Sequence, residues 1–293
     1  MITGSRYLTS CSHFTVPTST LLGVFHNSPA LHEVILVDII FAQDDWRRAK
    51  LCYMQKLDRF TIINMACEDE LYLIDHVDFP SHSTLVLSGT ISNFMHETVL
   101  VNGVSHSDVM SRLKKRYTQL DIRKDVLRLM AHPADAFNLV MEAKFNIPAL
   151  SSPLPITLSN YDISTVHTLD LSDDFTTSGC RIDLDSVVQR LMALRNIRLF
   201  TPLAVIQLMP KLARALEDKP RCCPSLEHLW LMDLDLDAEG MVKQVTEFVA
   251  MCARSRRGLK ILHLCHCNIS TGNYARLLGG VGDSKLVRSG SLW

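Results

Sequence analysis

The densest group of metal-binding and nucleophilic side chains is the run His263, Cys265, His266 and Cys267, which combines the thiolate and imidazole ligands that zinc prefers. A tetrahedral centre needs donors that converge on one point. If Leu262 and Leu264 point into a core, strand alternation sends His263 and Cys265 to the opposite face, while Cys267 turns back toward the core. No second pair at C-x-x-C spacing is present to complete a site, and Cys222-Cys223 reads as a loop entering the next strand. The run therefore predicts no metal centre.

The nucleophile and phosphate motifs fail as well. Gly103-Val104-Ser105-His106-Ser107 lacks the last glycine of a G-x-S-x-G elbow and reads as a turn before a helix. Gly282-Asp283-Ser284 runs on into Lys285-Leu286, and Gly279 to Lys285 lacks the G-K-[ST] ending of a phosphate loop. Asp44-Asp45 and Glu68-Asp69-Glu70 stand at expected helix starts, where carboxylates complement the macrodipole. The basic run Arg112, Lys114, Lys115 and Arg116 beside Tyr117 belongs to a chain with 30 Lys and Arg against 31 Asp and Glu, net charge -1. It reads as the solvated face of a helix rather than a phosphate-binding stripe. These readings predict no catalytic residue, no cofactor, no metal and no nucleic-acid partner, and hence not an enzyme.

The elements that would position such residues are repetitive. Leu259, Leu262, Leu264, Cys267 and Ile269 fill the template L-x-x-L-x-L-x-x-N/C-x-L, and Leu226, Leu229, Leu231, Leu234 and Leu236 fill it 33 residues upstream, with leucine at the Asn/Cys position. Between them Met241, Val242, Val245, Phe248, Val249 and Cys252 recur at helical spacing. Asp235 or Asp237 is placed to cap that helix, and Arg254, Arg256 and Arg257 suit its C-terminal end. Weaker copies of the strand pattern occur at Leu194, Ile197 and Leu199; Val166, Leu169 and Leu171; Leu85 and Leu87; Leu57, Phe60 and Ile62; and Leu31, Val34 and Leu36. Between residues 90 and 160 the repeat boundaries are not defined by the pattern. That stretch supports a basic helix from Ser107 to Tyr117 and strands at Val126 to Met130 and Phe137 to Met141.

Further helices are expected at Asp45 to Met54, Glu70 to Val77, Leu184 to Leu194, Leu203 to Leu216 (kinked or split at Pro210) and Asn273 to Leu278. The fold class predicted is α/β: an irregular leucine-rich-repeat solenoid of short parallel strands alternating with helices, over 1–279, with a flexible tail at 280–293. A doubly wound open sheet is the alternative architecture.

These segments carry a resemblance. TSTLLGVFHNSPALHEVILVD, LYLIDHVDFPSHSTLVLSG, ISTVHTLDLSD, CPSLEHLWLMDLDL and RGLKILHLCHCNIS together resemble the leucine-rich-repeat region of mushroom-type fungal F-box-like proteins. The resemblance implies the substrate-recognition half of a ubiquitin-ligase adaptor. The sequence opens directly in the repeat-like part, with no Leu-Pro-x-Glu-type F-box segment, so binding to the ligase adaptor is not expected.

Composition agrees with a folded binding module. In 293 residues, 47% hydrophobic content can bury a sizeable core. Nine scattered cysteines, an odd count, suit reduced thiols in an intracellular protein, cytoplasmic or nuclear. No signal peptide is expected, and Val34 to Ala42 is too short to cross a bilayer, so no membrane partner is expected. The function predicted is non-catalytic protein binding through the outward strand positions His228, Trp230, His263 and Cys265, with Trp230 as anchor. The competing readings are a truncated structural remnant with no retained partner and, third, an enzyme with an unrecognised site.

Overall fold

In a computed structural model of the protein the described residues are 7–10, 15–42, 50–91, 117–122, 126–132, 138–145, 154–156, 158, 161–172, 180–218, 223, 225–254, 259–280 and 285–289. Among them the main strands are β1 (Tyr7–Ser10), β2 (Glu33–Val37), β3 (Arg59–Ile63), β4 (Thr84–Ile91), β5 (Gln119–Ile122), β6 (Val126–Ala131), β7 (Asn138–Phe145), β8 (Thr168–Leu171), β9 (Asn196–Leu199), β10 (His228–Met232), β11 (Ile261–Cys265) and β12 (Lys285–Ser289). The helices are α1 (Thr18–His26), α2 (Cys67–His76), α3 (Leu184–Arg190), α4 (Pro202–Asp218), α5 (Met241–Arg254) and α6 (Thr271–Gly280). The chain is mixed α/β, its strands are mostly parallel, and it divides into two compact units. Unit 1 comprises Met1–Arg116, Val126–Ser151 and Ser159–Tyr161; unit 2 comprises Tyr117–Asp125, Ser152–Leu158 and Asp162–Trp293.

Unit 1 holds β1, β2, β3, β4, β7 and β6, in that order across the sheet. Alternate apolar residues fall into register as the rows Val34, Phe60, Leu85 and Leu139, and Leu36, Ile62, Leu87 and Met141, all buried. Phe60 adds edge-to-face contacts with Phe25 and Phe79, at centroid distances of 5.7 and 5.5 Å. The strand predicted at Val126 to Met130 is present, as is the described part, from Asn138, of the one predicted at Phe137 to Met141, but β6 and β7 pair antiparallel, a departure from the all-parallel expectation. A short connection between consecutive strands permits only the antiparallel return, because a parallel one needs a crossover of a dozen or more residues. The helix expected at Asp45 to Met54 is corrected in its described part: Cys52–Tyr53 is a short strand paired with Val77–Asp78.

Unit 2 orders β5, β8, β9, β10, β11 and β12, every adjacent pair parallel. Two rows of side chains run beneath it: Leu120, Leu169, Ile197, Leu229 and Leu262, then Ile122, Leu171, Leu199, Leu231 and Leu264, all with 0% exposure. Period-two alternation drives every second residue to the apolar side, and burial of those rows is the main favourable term in this unit. Met241, Val242, Val245, Phe248, Val249 and Cys252 form the buried stripe of α5, as the helical spacing predicts.

Strand ends share one device. Asp38 and Asn64 in unit 1, and Asp233 and His266 in unit 2, directly follow β2, β3, β10 and β11 and have φ between 53° and 55°. Asp and Asn tolerate this left-handed conformation better than most residues, because their short polar side chains bond locally. Each N–H then donates to the next strand: Asp233 to the Cys265 carbonyl at 2.9 Å and His266 to the Ser289 carbonyl at 3.0 Å. One residue later the Cys267 thiol donates to the Leu231 carbonyl at 3.2 Å, a bond that leucine at the equivalent Leu234 cannot make.

Three further expectations change. Asp235 and Asp237 do not cap α5: Asp235 accepts from the Asp237 N–H, while Asp237 accepts from the Ser270 N–H and the Asn273 side chain at the start of α6. Of the kink or split expected at Pro210, the split is absent: α4 runs through Pro210, and Ile206, whose carbonyl loses its intrahelical partner, is exposed to water. Lys285–Ser289, read from sequence as a frayed tail, adds the last strand of the unit. The basic run at Arg112 to Arg116, and the Gly103 and Gly282 motifs, fall outside the described residues.

Candidate binding surface

Strand alternation decides which side chains in unit 2 face away from the leucine rows. On β10, Leu229 and Leu231 go inward, and His228, Trp230 and Met232 go outward, half-buried; on β11, Leu262 and Leu264 go inward, and Ile261 and His263 go outward. Parallel in-register pairing then aligns equivalent outward positions. One row reads Asp121, Asp170, Arg198, Trp230, His263 and Val287, and the adjoining row reads Gln119, Thr168, Asn196, His228, Ile261 and Lys285.

Three of the four side chains expected at the surface meet here. The rings of Trp230 and His263 stack with centroids 3.5 Å apart and an interplanar angle of 2°. His228 lies diagonally opposite, its ring 5.4 Å from that of His263, with Nδ1 and Nε2 separated by 3.1 Å. Such a bond needs one ring nitrogen to carry the proton and the other to offer a lone pair. Burial, and then the neighbouring His228, push the His263 pKa below its ordinary value, so the ring that stacks on Trp230 is neutral at physiological pH.

The fourth, Cys265, is corrected. It occupies an outward register position but is only 6% exposed, and its sulfur accepts a hydrogen bond from the Ser289 hydroxyl at 3.1 Å. The reason is β12, which apolar patterning does not reveal, and which lies directly beside it. The four members of the His263–Cys267 run also do not converge: His263 faces His228, Cys265 faces Ser289, His266 is exposed at the turn after β11, and Cys267 donates to the Leu231 carbonyl. Among the described residues no group of three or more His, Cys, Asp or Glu side chains is placed to hold a metal ion. Burial pushes the Cys267 thiol up, the reverse of what an activated nucleophile requires.

The same row contains an ion pair that the leucine pattern does not announce. Arg198 grips Asp170 with Nε to Oδ1 at 2.6 Å and Nη2 to Oδ2 at 2.7 Å, while the Gln119 amide donates to Asp170 at 2.9 Å. Burial pushes the Asp170 carboxyl above its ordinary value despite Arg198, and the adjacent Asp121 adds to the effect. The pair fixes Arg198 on the strand position beside Trp230. The signal was available in the residues between the leucines, since Asp170 and Arg198 occupy the same place in TVHTLDLSD and ALRNIRLF.

Unit 1 carries an analogous cluster. Glu142 bonds the guanidinium of Arg128, accepts from the Ser88 hydroxyl at 3.0 Å and lies 3.2 Å from Lys144. Burial alone would raise its pKa, but Arg128, Ser88 and Lys144 together hold the carboxyl below its ordinary range.

A separate cavity of about 560 Å³ in unit 2 lies at the start of α5, lined by Asp237, Glu239, Lys243, Glu247, Asn273 and Arg276. Lys243 pairs with Glu247 at 3.8 Å and Asp237 is held by Ser270 and Asn273, so its charges are largely answered from within. Among the described residues no helix is long and apolar enough to cross a membrane. No family model, curated protein or solved structure matches the chain.

Proposed function

We propose that the chain is a non-catalytic protein-binding module, built as an irregular leucine-rich-repeat solenoid and similar in role to the substrate-recognition half of an F-box-like protein. The observation that carries this reading is the outward row Arg198, Trp230 and His263, one side chain from each of three adjacent parallel strands, resting on fully buried leucine rows. A flat aromatic and guanidinium surface fixed by its own stacking and ion pairing loses little conformational freedom when a partner covers it. Tryptophan and arginine are also the residues that most often carry interface energy. The recurrent left-handed turn after β10 and β11, and the Cys267 thiol that ties one strand–turn segment to the preceding one, support the repeat reading. An intracellular site of action fits the described cysteines Cys52, Cys223, Cys252, Cys265 and Cys267, all buried and none of them in a disulfide.

Affinity capture from extract of the source cells, quantified by mass spectrometry, tests the proposal. The wild-type chain should retain a protein that Trp230→Ala loses and that Leu278→Ala, an exposed position on α6, keeps. Equal recovery by all three chains would rule out the Trp230 surface as the binding site.

A further inference from the structure

The edge formed by the N-terminal ends of the unit 2 strands carries a charge that the outward rows above it do not. Arg195 precedes β9, Lys260 precedes β11 and Lys285 opens β12; all three are exposed, and His167 precedes β8 in the same way. Among the described residues of this rim the one carboxylate is Glu227, which Lys260 meets at 2.7 Å. Lys260, and at longer range Arg195 and His228, hold the Glu227 carboxyl below its ordinary range. One carboxylate against three permanent cations leaves the rim net positive. Further along the strands the charges cancel or sit inside, with Asp170 bound by Arg198 and Asp121 buried.

We propose, on the reading that this face is a protein-binding surface, that its partner presents an acidic, extended polypeptide segment with an aromatic or long aliphatic anchor: carboxylates meet Arg195, Lys260 and Lys285, and the anchor lies on the Trp230–His263 stack. Dimensions favour a peptide. From β9 to β12 is three strand spacings, roughly 14 Å, which four or five extended residues span. The stack lies two residues up the strands from Lys285, roughly 7 Å, and three from Arg195 and Lys260, roughly 10 Å, a gap that one large side chain and one further peptide residue bridge. A nucleic-acid backbone is the poorer fit, because it rewards many phosphate contacts and this rim offers three cations with a carboxylate among them.

The test is a selection of random 12-residue peptides displayed on phage against the full chain, followed by titration of the enriched peptides as synthetic ligands. The expected result is enrichment of peptides with two or more Asp or Glu and one Trp, Phe, Tyr or Leu. Their Kd should rise at least tenfold on Lys285→Glu, and also on Trp230→Ala, with Trp230→Phe retaining most binding as the control for folding. Peptides that need Trp230 but show no acidic bias, or that ignore Lys285→Glu, overturn this inference and leave the binding-surface reading standing. Absence of any Trp230-dependent peptide overturns the inference, while the extract capture described above still judges the broader reading. Trp230-dependent binding of fluorescein-labelled oligothymidine in preference to the peptides would also overturn it.

Discussion

Leu262→Ala removes three side-chain carbons from the middle of the unit 2 ladder, where Leu262 is 0% exposed and registers with Leu229 on one side and Leu286 on the other. The strands on both sides are tied to β11 by parallel ladder bonds, so the site cannot collapse far to refill the space. A buried Leu→Ala change of this kind costs about 3 kcal/mol, within a span of roughly 2–5. At about 2–4 °C per kcal/mol for a unit of this size, the melting midpoint should fall by roughly 6–12 °C. The next residue, His263, faces outward and half-buried, and loses mainly its stacking on Trp230, so His263→Ala should cost no more than about 1.5 kcal/mol. Urea unfolding followed by far-ultraviolet circular dichroism, with calorimetric melting beside it, measures both. If Leu262→Ala lies within about 0.5 kcal/mol of wild type, or His263→Ala costs as much as Leu262→Ala, the inward and outward assignment on β11 is wrong.

Two other outcomes follow from local geometry. A Cβ on Gly280 would sit 2.4 Å from Cγ2 of Thr246, whose rotamer is set by its hydroxyl donating to the Val242 carbonyl at 2.7 Å; Gly280→Ala should destabilise by about 1–3 kcal/mol, and Thr246→Ser should recover much of the loss in thermal melting. Arg198→Ala strands the buried Asp170, whereas Asp170→Ala leaves a guanidinium that still reaches water, so at pH 7 the first change should be the more damaging. Because the Asp170 pKa is already raised, removing Arg198 raises it further; protonation then relieves the cost, and the stability gap between Arg198→Ala and wild type should narrow as pH is lowered toward 4.

Much of the fold was legible in the sequence because leucine at every second position is both the strand signal and the core. Leu169 and Leu171, Ile197 and Leu199, Leu229 and Leu231, and Leu262 and Leu264 announce four adjacent strands, and the structure buries every one. In unit 2 the strands that escaped notice are those where this signal thins. β5 reads QLDI, with a buried Asp121 among the apolar residues, and β12 reads KLVRS, with charges at both flanks. Antiparallel pairing of β6 and β7 was invisible for another reason: alternation gives the facing of each strand and not its direction. At the candidate surface Trp230, His228 and His263 followed from alternation alone, while Cys265 did not, because its burial depends on β12. Asp237 shows the limit of local reading: its partners are 33 and 36 residues away, at Ser270 and Asn273, so helix-cap logic within its own loop could not find them.

The register that sets Trp230 against His263 underlies both the ladder and the surface built on it, and Trp230 emission reports it directly. With Trp46 and Trp293 changed to Phe, the remaining indole should dim as pH falls, since a protonated imidazole stacked on it quenches by accepting an electron. The His263 pKa is lowered in the folded protein, so the ring binds its proton more readily when unfolded; stability from this group is full above pH 6.5 and declines as pH falls through the folded value. The emission midpoint should therefore lie below 6.5, His263→Gln should abolish the transition, and His266→Gln, at the exposed turn beyond β11, should leave it intact. Emission that does not change with pH, or that responds equally to both substitutions, would contradict the pairing of β10 with β11.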